Sequence, residues 1–141
     1  MQWLLDTCVV SETFKREPDA AVMAWLSDNA KAAALPAVAL GEIQHGIERM
    51  SESRSRNRLQ VWRDRIAAQF AHRTLAADES VFRQWGHLRA SLEAIGRPQQ
   101  DMDVLIAAIA VCHDLTLVTR NVRDFADTGV RLLDPWSGKH Y

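Results

Sequence analysis

Met102-Asp103-Val104-Leu105-Ile106-Ala107-Ala108-Ile109-Ala110-Val111-Cys112-His113, followed directly by Asp114-Leu115-Thr116-Leu117-Val118-Thr119, is the stretch that decides the fold. Its first part is apolar at nearly every position, so the spacing predicts a helix from Met102 to His113 covered on most sides. Leu115 to Thr119 then reads as a buried strand. A buried helix feeding a buried strand is the repeating unit of an α/β sheet.

The same alternation extends outward in both directions. Leu4-Leu5-Asp6 reads as a short strand that turns through Thr7 and Cys8 into a small helix from Val9 to Lys15. Asp19 is placed to cap a second helix, on which Val22, Trp25 and Leu26 recur at three- and four-residue spacing. Ala32 to Pro36 is a second strand, and Val38 to Met50 a helix with Ile43 and Ile47 on one face. Met50 to Arg58, rich in Ser and Arg, reads as a loop before a helix from Leu59 to His72. Arg73 to Ala76 is a short strand, and Asp78 caps a helix carrying Phe82, Trp85, Leu88 and Leu92. Gly96-Arg97-Pro98 breaks the chain, and Asp101 reads as a capping residue for the apolar helix. Val130 to Leu133 is the final strand, ahead of Asp134-Pro135-Trp136. Strands separated by helices indicate a parallel sheet, here a three-layer α/β/α sandwich formed as one domain over residues 1–141.

Composition narrows the function. With 48% apolar residues in 141, the chain can bury one core. Seventeen basic residues against eighteen acidic ones leave a formal charge of -1, so any nucleic-acid contact must be local rather than a coating of the whole molecule. The two cysteines, Cys8 and Cys112, lie in apolar stretches and do not make a disulfide framework. Met1-Gln2-Trp3 runs straight into a strand without the pattern of a signal peptide, and no apolar run approaches membrane length. A soluble cytoplasmic protein is expected.

Four carboxylates stand where apolar runs end or where a helix offers one face: Asp6, Glu42, Asp103 and Asp124. Glu42 follows Val38 by four and should sit beside the buried stripe of its helix, and Asp103 lies in the first turn of the apolar helix, where free N–H groups favour a negative charge. Side chains at the carboxyl ends of parallel strands point into a common crevice. Mg2+ and Mn2+ take oxygen ligands and keep several waters, so Asp6, Glu42 and Asp103 would suffice for such an ion. A metal held there can activate water against a phosphodiester. Thr7 and Thr119 offer hydroxyls to orient a carboxylate or a phosphate, and Arg120 is placed to meet substrate phosphate.

Four segments in this order resemble the PIN domain, specifically the VapC-type toxin ribonucleases of type II toxin–antitoxin pairs. They are Leu4-Leu5-Asp6-Thr7-Cys8-Val9-Val10-Ser11-Glu12, Ala39-Leu40-Gly41-Glu42-Ile43, Met102-Asp103-Val104-Leu105-Ile106-Ala107-Ala108 and Leu117-Val118-Thr119-Arg120-Asn121-Val122-Arg123-Asp124-Phe125. The resemblance spans Leu4 to Trp136. It implies a Mg2+- or Mn2+-dependent endoribonuclease with Asp6, Glu42 and Asp103 around the metal, leaving 5′-phosphate and 3′-hydroxyl ends. It also implies an antitoxin partner that covers the acidic pocket, and toxin homodimers. Two positions depart from the family pattern: Asn121 stands where aspartate is frequent, with Asp124 as the alternative fourth carboxylate, and Cys8 stands where Asn is frequent.

Other readings of the same residues stay open at this level. Asp6 alone would serve as a helix cap, and Asp124 could cap or bridge to Arg123 or Arg120. The arginines at 49, 54, 56, 58, 63 and 65 read as a solvated helix face ahead of an RNA contact. The histidines show no ligand spacing for zinc. A phosphoacceptor signalling domain also gathers acids around Mg2+, but it needs a late lysine near the pocket, and beyond Lys31 the chain offers only Lys139. A PIN-like module that binds RNA or a partner without cutting is a further alternative, allowed by Asn121.

Overall fold

In the computed structural model, which describes residues 1–141, six strands form one sheet in the order β3-β2-β1-β4-β5-β6. These are β1 (Trp3–Leu5), β2 (Ala33–Pro36), β3 (Thr74–Leu75), β4 (Thr116–Val118), β5 (Leu132–Asp134) and β6 (Lys139–His140). All neighbours pair in parallel except β6, which runs antiparallel to β5. The helices are α1 (Thr7–Glu12), α2 (Ala20–Asn29), α3 (Ala37–Glu48), α4 (Arg54–Gln69), α5 (Glu79–Ala94) and α6 (Asp101–Cys112).

The alternation of side chains along each strand divides the interior into two layers. Leu4, Ala34, Leu117 and Leu132 face α5 and α6, joining Leu88, Leu92, Ile106 and Ile109 in one core cluster. Trp3, Leu5, Ala33, Leu35, Val118 and Leu133 face α1 to α4, joining Val10, Ile43, Ile47, Trp62 and Phe70 in the other. Strands buried on both faces explain their unbroken apolar runs. The expected three-layer sandwich is thus present.

Three expectations are corrected. The Ser/Arg segment is not loop throughout: Ser53 caps α4, its hydroxyl accepting the Arg56 N–H at 3.1 Å, and the arginines that lowered the apolar signal line the solvent side of an early turn. Asp101 does not cap α6; Gln100 holds that place without a side-chain bond, and the Asp101 carboxylate pairs with Arg89 at 2.8 Å. The final strand is β6 rather than the segment from Val130 to Leu133. It is a two-residue polar edge strand, reached through Gly138 at φ 76°, and so short a polar element carries no hydrophobic period.

The order of strands reverses between β1 and β4: the chain leaves β1 toward β2 on one side and later returns to β4 on the other. Such a switch point opens a crevice at the carboxyl ends of the two strands. Asp6 follows β1 and Thr119 follows β4, so both are delivered to that crevice by backbone pairing. The Asp6 N–H donates to the Val118 carbonyl at 3.0 Å, which fixes the junction.

Candidate active site

Asp6 is 6% exposed and satisfied on both oxygens. Its Oδ1 accepts the Thr7 N–H at 2.8 Å, capping α1, while Oδ2 accepts the Thr119 hydroxyl at 2.7 Å and, at 3.6 Å, the Cys8 thiol. Capping and site geometry are therefore one arrangement, because the cap fixes the carboxylate that the crevice presents. Burial, ahead of the field of Asp124, raises the Asp6 pKa above the ordinary value, although the hydrogen bonds oppose the rise.

The Thr7 hydroxyl donates to Glu42 Oε1 at 2.8 Å, tying the second turn of α3 to the start of α1. Glu42, expected beside the buried stripe rather than on the open surface, is next to buried Ile43 in the chain but is itself exposed. Partial desolvation, then the charge of Asp6, still raises its pKa. Asp103, in the first turn of α6, is half-buried; desolvation first, then the fields of Asp124, Asp6 and Glu42, push its carboxyl up to about 6. Asp124 lies in a 3-10 turn from Val122 to Phe125, and its N–H donates to the Asn121 carbonyl at 3.0 Å. It neither caps a helix nor bridges to Arg120 or Arg123.

These four carboxylates, distant in sequence, share one electrostatic neighbourhood. None of them enters an ion pair anywhere in the molecule. Thr119 is fully buried; its hydroxyl donates to Asp6 and accepts the Asn121 N–H at 3.0 Å. Cys8 is pushed up to about 11 by burial and by Asp6, so it stays a thiol and acts as a weak donor rather than a nucleophile. Arg120 is exposed, and its guanidinium carbon lies 5.2 Å from the centroid of the Trp136 ring. No motif in the sequence marks Trp136; its place two residues beyond the Leu132–Asp134 strand is the one signal the chain offers for it.

No group of three or more His, Cys, Asp or Glu side chains closes to metal-binding spacing. Asp6, Glu42 and Asp103, expected around a metal with Asp6 and Asp103 as its direct ligands, thus form no closed cage. The donor set nevertheless fits a hard divalent cation that keeps most of its waters: the donors are oxygens, and burial together with neighbouring negative charge raises the pKa of Asp6, Glu42 and Asp103 with no protein cation to relieve them. One or two direct carboxylates suffice for Mg2+, the others acting through water.

An acidic crevice at the switch point of a parallel sheet defines a class, and the comparisons with known proteins specify it. The PIN domain matches residues 3–130, so the chain belongs to the PIN domain family. Its relatives there include "VapC ribonuclease Y4jK" of Sinorhizobium fredii, 32% identical over 94% of this chain and 96% of that one. "Toxin FitB" of Neisseria gonorrhoeae is 31% identical over 94% and 97%. The "tRNA(fMet)-specific endonuclease VapC" of Shigella flexneri is 30% identical over 97% and 99%. Among solved structures, FitAB bound to an IR36 DNA fragment superposes with a TM-score of 0.91 at 30% identity, covering 99% of both chains. FitAcB from Neisseria gonorrhoeae gives 0.89 at 31%, covering 96% and 99%.

Proposed function

We propose that this chain is a Mg2+- or Mn2+-dependent endoribonuclease that acts as the toxin of a toxin–antitoxin pair. The observation that carries the reading is the set Asp6, Glu42, Asp103 and Asp124, whose charges act on one another at the sheet switch point without any compensating cation. The relatives named as VapC ribonucleases and as a tRNA endonuclease supply the reaction class and the substrate polymer. Bound to these carboxylates, the metal would supply an activated water and charge stabilisation at the phosphate. Asp6 and Asp103 are the direct ligands in this reading, with Glu42 and Asp124 completing the acidic set.

The protein's own groups have separable tasks. Thr119 and the Thr7 N–H hold the Asp6 carboxylate in one rotamer, and the Thr7 hydroxyl holds Glu42. Asp103, its carboxyl pushed up to about 6, must lose its proton before the site carries its full charge. Arg120 meets substrate phosphate at the rim, and Asn121 offers an amide to a water. Cleavage would leave 5′-phosphate and 3′-hydroxyl ends. The cytoplasm, where RNA and an antitoxin are available, is the expected place of action, and no helix of the fold is long and apolar enough to cross a membrane. An antitoxin that covers the acidic crevice, and a toxin homodimer, follow from the same reading; solved relatives include a FitAB complex on DNA.

The phosphoacceptor alternative loses support, since the Lys139 amine lies 4.9 Å over the Tyr141 ring and pairs with no carboxylate of the crevice. The deciding experiment incubates purified protein with RNA in Mg2+, Mn2+ or EDTA and maps the ends. Cleavage in either metal, lost in EDTA and in Asp6→Asn, Glu42→Gln or Asp103→Asn with the fold intact, is the expected result. Metal-independent cutting, or an Asp103→Asn variant as fast as the parent, would reject it.

A further inference from the structure

Arg120 follows directly on Thr119, the residue that holds Asp6, yet its guanidinium pairs with none of the four carboxylates nearby. It lies instead over Trp136, 5.2 Å from the ring centroid and within the range of a cation–π contact. The tryptophan is itself fixed from below. It packs against the core cluster shared with α1 to α4, its backbone N–H donates to Asp134 Oδ1 at 2.8 Å, and the Gly138 backbone N–H donates to the Asp134 carbonyl at 2.7 Å. Because β5 pairs directly with β4, the turn after β5 emerges beside Thr119 and Arg120, and Thr119 N–H donates to the Leu133 carbonyl at 2.9 Å.

A guanidinium stacked by its face keeps its in-plane N–H fork available, and that fork matches the spacing of phosphate oxygens. An arginine drawn into the carboxylates would instead quench the charge a metal needs and have no donors left for the substrate. In the structure the guanidinium rests over one aromatic ring and pairs with none of the acids. We infer that Trp136 is a substrate-positioning residue: it holds Arg120 at the rim of the acidic crevice so that the guanidinium meets a phosphate next to the cut bond of single-stranded RNA. The inference rests on the ribonuclease reading and adds to it the residue that sets the arginine's orientation.

The test measures binding of a labelled single-stranded oligouridylate in EDTA, where no turnover occurs, so that it stands apart from the cleavage assay. Trp136→Leu and Arg120→Lys, the second an exposed site that cannot disturb the core, are each expected to weaken binding by roughly 3- to 10-fold. Arg120→Ala should also lower the slope of log affinity against log salt by about 0.7, the value for one phosphate contact on a single strand. Trp136→Phe, which keeps a ring face, restores most of the loss. In the cleavage assay Trp136→Leu raises KM and spares kcat, and it adds nothing in an Arg120→Ala background. Arg120→Lys and Arg120→Ala variants that bind as tightly as the parent would overturn the inference. So would a Trp136→Leu loss that persists undiminished in Arg120→Ala, since the ring would then act on the RNA itself, or a parent that does not bind the oligouridylate.

Discussion

Asp103 shows how a single residue can be held against its own stability. Its carboxyl is raised to about 6, so the folded protein binds that proton more tightly than the unfolded chain does. A raised carboxyl favours folding at low pH, and this contribution disappears as pH climbs from the unfolded value through about 6. Asp103→Asn should therefore raise the melting temperature at pH 8, with the gap closing toward pH 4, where the parent carboxyl is itself protonated. Adding Mg2+ should raise the melting point of the parent and move that of Asp103→Asn less, because only a ligand bound to the folded state stabilises it. Thermal melts across pH, with and without the ion, check both. Thr119 is the complementary case, a buried hydroxyl bonded as donor to Asp6 and as acceptor to Asn121. Thr119→Val keeps the shape and loses both bonds, and is expected to reduce cleavage by about 10- to 100-fold. Thr119→Ser should retain most of the rate in the same assay.

At the scale of elements, α6 does two jobs with one sequence. Val104 to Ala110 are buried without a break and wedge the helix between the sheet and α5, while the first turn carries Asp103 to the crevice. Position of the acid thus depends on packing along the two turns that follow it. Ile109→Ala, at a site with no exposure, is expected to cost about 2–5 kcal/mol in urea unfolding, as cavity formation does elsewhere. Helices, caps and buried strands were legible because each leaves a local mark: Asp19 and Asp78 cap α2 and α5 as the spacing predicted. What escaped was non-local or short. The Asp101 carboxylate left the helix end for Arg89 because a tertiary partner outcompeted a local one. The β6 strand exists only through its pairing with β5, and Trp136 gained its neighbour Arg120 from the pairing of β5 with β4.

For the molecule as a whole, a formal charge of -1 hides a sharp division of charge. Carboxylates without counter-ions gather at one crevice, whereas the arginines of α4 are spread along a helix, with Arg56 and Arg63 bonded to Glu48 and Asp64. In the ribonuclease reading RNA affinity comes from local contacts and falls with salt in proportion to the few phosphates they engage. Expression of this chain alone is expected to arrest bacterial growth, with Asp6→Asn relieving the arrest at equal soluble protein; normal growth with the parent chain would count against the toxin reading. The sequence by itself determined the layered parallel architecture, since apolar period and caps are properties of neighbouring residues. It also marked the acids, because a polar side chain at the end of a buried strand is conspicuous. Only the tertiary structure decided that Asp6, Glu42, Asp103 and Asp124 feel one another's charge without closing into a cage, and that Arg120 rests on Trp136 rather than among them. Those facts depend on strand order and side-chain rotamers, and the free energies that choose them arise between elements that no local stretch of the chain contains.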